Sequence, residues 1–120
     1  MNFQISDSEV VDSHTHLIEL GGEIDLYTAP EFKERMGAVI DEGKTRVVVD
    51  LSQATFIDST TLGVLVGGVK RLRPAGGSLA LVCTDENIIK IFEITGLDRV
   101  FPIHGSRDEA LADVTAGGAG

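Results

Sequence analysis

Asp58-Ser59-Thr60-Thr61 sets a carboxylate against three hydroxyls at the head of the apolar segment LGVLVGGVKRL. Four kinds of chemistry use such a set. A carboxylate or hydroxyl caps a helix by accepting its first unpaired N–H groups. A serine beside a base and an oxyanion site is a nucleophile. A glycine-rich loop with a lysine cradles a bound phosphate. A hydroxyl on a helix start can also be phosphorylated, because free N–H groups and the positive dipole end make the new charge tolerable there.

The nucleophile reading lacks its partners. There is no G-x-S-x-G elbow around Ser59, and nothing in the sequence aims His14, His16 or His104 at it. His14 and His16 are two apart on an expected strand, but no carboxylate or cysteine ligand accompanies them, so no metal site is read. Gly63 and Gly68 echo a phosphate loop; however, Val69 precedes Lys70, no Ser or Thr follows, and the glycines lie inside a helical apolar period. A cap explains Asp58 but neither the run of hydroxyls nor the glycines. A reversible phosphate remains. It adds about −1.5 to −2 charge beside Asp58 and repels a docked partner without reshaping the fold.

A helix from Ser59 to about Arg73, turned 100° per residue, places Leu62, Leu65, Val66, Val69 and Leu72 on a stripe facing the sheet. Thr60, Val64, Gly67 and Arg71 fall opposite, with Gly63 and Gly68 at the margins. Each interior glycine costs roughly 1 kcal/mol relative to alanine. Val64 and Gly67, beside the hydroxyl-rich end, therefore read as a low docking face for another protein. Gly63 and Gly68 fit docking and close helix packing equally well.

The remaining elements follow from period and punctuation. Strands are expected around Phe3–Asp7 and His14–Leu20, the second ended by Gly21-Gly22. Thr28 and Glu31 form an expected capping box around Pro30. The helix behind them carries Phe32, Met36, Val39 and Ile40 and stops at Gly43. Arg46–Leu51 is a continuous β-branched run, as in a strand buried on both faces. Ser78–Thr84 is a strand, Asp85–Thr95 a helix ending at Gly96, and Val100–His104 a last strand. Ser106 and Glu109 open a final helix. The order ββαβαβαβα predicts an α/β fold, a mixed central sheet with helices packed on it.

At 120 residues the chain reads as one domain over 1–115, with 116–120 as a frayed tail. Its net charge of −9 repels phosphate backbones and argues against direct nucleic-acid binding. Lys70, Arg71 and Arg73 read as cations at a helix C-terminus. No apolar run is long enough to span a bilayer, and the N-terminus lacks the build of a signal peptide. The lone Cys83 fits a reducing cytoplasm. No cofactor is expected; the implied partner is a protein.

Gly22-Glu-Ile-Asp25, the strand VVVDLS over 47–52, Phe56-Ile-Asp-Ser-Thr-Thr-Leu-Gly63 and the stretch Phe92–Phe101 resemble, in order, the STAS-domain anti-sigma factor antagonists. The likeness runs from about Phe3 to Val114. It implies a STAS fold and a non-enzymatic regulator of transcription. It also implies phosphorylation on Ser59, with Thr60 as the alternative hydroxyl. The partner would be an anti-sigma factor that is also an ATP-dependent serine kinase. The unphosphorylated chain binds it and frees a sigma factor, the phosphorylated chain lets go, and a serine phosphatase resets the cycle. Asp25 matches a loop acid at the kinase interface, Asp58 flanks the acceptor, and Leu62 matches a packing position. Thr61 stands where many relatives have glycine, so it either narrows kinase access or offers a competing hydroxyl. The alternative is a STAS scaffold or sensor assembly that never acts on a sigma factor.

Overall fold

A computed structural model describes residues 3–6 and 12–117. Its strands are β1 (Phe3–Ser6), β2 (Thr15–Ile24), β3 (Arg46–Ile57), β4 (Ser78–Val82) and β5 (Ile103–His104). Its helices are α1 (Ala29–Asp41), α2 (Ser59–Leu72), α3 (Glu86–Thr95) and α4 (Arg107–Gly117). The sheet runs β1-β2-β3-β4-β5 in space, β1 antiparallel to β2 and every later pair parallel. Successive parallel strands are always neighbours, stepping the same way across the sheet. Crossovers of one hand then deliver α1, α2 and α3 to a single face.

That face holds the main core. Val47, Val49 and Leu51 of β3 meet Phe32 and Met36 of α1, Leu65 and Val69 of α2, and Phe92 of α3. Phe92 packs edge-on against Phe101, with ring centroids 5.8 Å apart. Val48 points the other way, with Leu17, Ala80 and Val82, under Ala110 and Val114 of α4. Two covered faces explain why the β3 run is apolar without alternation.

Asp50 interrupts that run on the α4 side, only 1% exposed. Arg107, opening α4, places Nε 2.5 Å from Asp50 Oδ2 and pairs through its NH2 group with Glu19. Burial pushes the Asp50 carboxyl up, but the Ser52 hydroxyl and N–H and the Arg107 guanidinium outweigh it and hold it below the ordinary value. The pairing fastens α4 to the sheet.

The structure departs from several expectations. Gly21-Gly22 does not end β2, which continues to Ile24 through register shifts against β3 between Glu19 and Gly21 and between Gly22 and Glu23. Gly22 has φ +78°, which suits the bulge. Thr28 is the N-cap of α1 with Pro30 in the first turn, as expected, but its side chain makes no capping hydrogen bond, and the box with Glu31 does not form. Its hydroxyl donates to the Glu23 carbonyl (3.0 Å) and accepts from the Asp25 N–H (2.8 Å). Asp25 shapes the turn instead, accepting from the N–H groups of Tyr27 (2.9 Å) and Thr28 (3.2 Å). β5 is shorter than expected, because Leu97–Arg99 forms a 3-10 turn and Val100 closes it. Ser106 does accept from the Glu109 N–H, at 3.2 Å. α4 reaches Gly117; Asp7 and Gly118–Gly120 lie outside the described residues.

Candidate partner-docking site

The carboxyl ends of β2 and β3 bring two short connections together, Asp25–Thr28 and Asp58. Asp58 is the N-cap of α2, with extended backbone (φ −128°, ψ −173°). Its Oδ1 accepts from the N–H groups of Thr60 (2.9 Å) and Thr61 (3.4 Å) and from the Thr60 hydroxyl. The Thr60 hydroxyl does most to hold the Asp58 carboxyl below its ordinary value, with the N–H groups of Thr60, Thr61 and Leu26 adding to it against partial burial. The cap therefore carries a full negative charge at neutral pH.

The three hydroxyls have separate fates. Thr61, expected on the partner surface, is fully buried and donates to the Ile24 carbonyl at 2.9 Å. That removes it both from the docking surface and as a competing acceptor. Thr60 is half-buried and committed to Asp58. Ser59 is the first residue of α2, exposed, and no described residue hydrogen-bonds its hydroxyl.

The inward stripe of α2 is rotated from the expected one. Thr61, Leu65, Gly68, Val69 and Leu72 are buried, while Leu62 and Val66 are half-buried flanks. A Cβ on Gly68 would lie 3.3 Å from Leu79 Cδ1 and from Met36 Sδ, so this glycine serves close packing. Gly63 and Gly67 face open space, with nothing within 4 Å of an added Cβ. The surface of Thr60, Gly63, Val64 and Gly67 is not flat. α1 rises beside it, and together they wall a groove of about 590 Å³ ending near Arg71.

Sequence reasoning missed the exposed apolar residues around this site. Leu26 is 60% exposed, Tyr27 82% and Phe56 49%. Leu26 and Tyr27 sit in the turn held by Asp25, and Phe56 lies across from Glu23 at the end of β3. The available signal was a leucine and an aromatic inside a polar turn motif. The histidines play no part here: His14 is exposed, His16 is buried, and His104 is bonded to Asp113 of α4 at 2.8 Å. Among the described residues no group of three metal-ligating side chains occurs, and no helix is long and apolar enough to cross a membrane.

A mixed sheet with helices on both faces, and a hydroxyl-bearing helix start beside exposed apolar residues at one end, defines a small α/β domain. A model of the STAS domain family matches residues 7–110. The anti-sigma-B factor antagonist of Bacillus subtilis is 37% identical over 86 residues, 72% of this chain and 78% of that protein. Its namesake from Listeria monocytogenes is 35% identical over 109 residues, 91% and 95% of the two chains. The crystal structure of an anti-sigma factor antagonist from Mycobacterium paratuberculosis aligns with TM-score 0.80 at 28% identity, covering 94% of this chain and 92% of that one. The chain belongs to the STAS-domain anti-sigma factor antagonist family.

Proposed function

We propose that this chain is a non-enzymatic, cytoplasmic anti-sigma factor antagonist that works by partner switching. Unphosphorylated, it docks an anti-sigma factor serine kinase through Leu26, Tyr27, Val64 and the start of α2, and a sigma factor is freed. Phosphorylation on Ser59 ejects the kinase, and a serine phosphatase restores the first state.

One observation carries the reading: of three adjacent hydroxyls, only that of Ser59 is both exposed and unengaged. The charge logic supports release without unfolding. Asp58 already occupies the N–H groups of Thr60 and Thr61. A phosphate at residue 59 is left with little local neutralisation and faces outward beside a second anion. A partner covering that point then meets like charge at close range. Asp25 takes part by fixing the turn that presents Leu26 and Tyr27.

The test is incubation of the chain with its kinase and ATP, followed by peptide mass spectrometry and a pull-down. One phosphate is expected, on Ser59, with loss of kinase from the pull-down. A phosphate on Thr60, or retention of the modified chain by the kinase, would falsify the proposal.

A further inference from the structure

The groove between α1 and α2 shares Leu26, Thr60 and Val64 with the docking surface proposed above, but its lining as a whole has a ligand chemistry that does not depend on the switching reading. Its volume of about 590 Å³ lies within the range of small-molecule sites. Leu26, Pro30, Met36, Ile40 and Val64 make its lining mainly apolar. The charged residues that line it, Lys33 and Arg71, are both cations, in a chain of net charge −9. Arg71 is held by Asp41 at 2.6 Å. Lys33 is exposed and has no ion-pair partner among the described residues. From Thr60 to Arg71 the wall rises about 16 Å at 1.5 Å per residue, and the stretch from Lys33 to Ile40 takes up about 10 Å of it, room for the greater part of an extended dodecyl chain. The room along it comes from Gly63 and Gly67, where any side chain would project into space that is now open.

We infer that this groove binds a single-chain amphiphile with an anionic head, the head at Lys33 and the apolar chain along Val64 and Met36 toward Ile40. A cation at the rim and an apolar floor select for charge and chain together. A neutral or cationic amphiphile gains only the second.

Sodium dodecanoate below its micellar concentration, titrated into the full chain, tests this by calorimetry and amide chemical shifts. One-to-one binding is expected, with shifts confined to the α1 and α2 residues flanking the groove. Lys33→Glu should weaken binding about tenfold or more, as loss of a charge-assisted contact does. Gly67→Phe should abolish it, by filling the groove from a position where a Cβ meets nothing. Circular dichroism checks that the Gly67→Phe chain is folded; if it is not, Lys33→Glu, an exposed change, decides alone. Absence of dodecanoate binding overturns the inference. So does equal binding of dodecyltrimethylammonium, or shifts that map elsewhere. A groove occupied by a second copy of the chain, seen as a dimer in sedimentation, also overturns it.

Discussion

Thr61 Oγ1 donates to the Ile24 carbonyl at 2.9 Å, joining the first turn of α2 to the end of β2 across 37 residues of sequence. Both groups are buried. The bond fixes the height of Ser59 relative to the turn that presents Leu26 and Tyr27. Thr61→Val keeps the shape but leaves the carbonyl unpaired, at a cost of about 1–3 kcal/mol. In urea the midpoint should fall with the slope unchanged. Thr61→Ser should recover most of the loss.

Asp58 gives a pH signature. Its folded-state pKa is depressed, so its stabilisation is present above the unfolded value and fades as pH falls through the folded one. Asp58→Ala should cost about 1 kcal/mol at pH 7 as a lost cap. The gap between parent and variant should narrow below about pH 4. A gap that stays constant into acid would show that the charge contributes nothing.

Ser59→Asp puts an acid on the first residue of α2, where the dipole favours it. The melting temperature should hold while kinase affinity falls about tenfold or more. Val64→Glu and Leu26→Asp should lower affinity similarly, and as exposed or half-exposed changes they should leave stability within about 0.5 kcal/mol. Surface plasmon resonance on the three variants separates docking from folding. Unchanged affinity for Val64→Glu would exclude that face of α2.

The glycines of α2 should part company. Gly67→Ala meets open space and should stabilise by about 0.5–1 kcal/mol through helix propensity. Gly68→Ala must displace Met36 or Leu79 from 3.3 Å and should forfeit at least half of that gain. Equal thermal shifts for the two would contradict the packing described.

Arg107→Ala should be the costliest surface-accessible change. It strands the Asp50 carboxylate, 1% exposed, beside Glu19. Loss of one partner from such a pair costs about 3–5 kcal/mol; the Ser52 bonds place the expectation at the lower end. Asp50→Asn in the same background should restore part of the stability, as a double-mutant cycle measures.

The alternation of apolar runs made the element order and the sheet with its helices readable, because period and punctuation are local properties. What escaped depended on a partner distant in the chain. Gly21-Gly22 looks like a strand end, yet β3 alongside holds a bulge there and the strand goes on. Thr28 and Asp25 are rival turn residues three apart, and only the chain path decides for Asp25. Thr61 and Gly68 are weak signals on a helical wheel, but a small or hydroxyl residue faces inward where a helix comes close to its sheet. Asp50 inside VVVDL did carry a readable demand for a cation. Its supplier, Arg107, lies 57 residues on.

The sheet also acts as a partition. Ser59 and the groove belong to the α1–α3 side, whereas among the described residues α4 alone covers the reverse, with Ala112 exposed on its outer surface. Cys83 is buried and its thiol pKa is raised by that burial, so it is slow to alkylate. A fluorophore on Ala112→Cys would therefore label one position, behind the wall, and report tumbling of free and captured molecules without obstructing either.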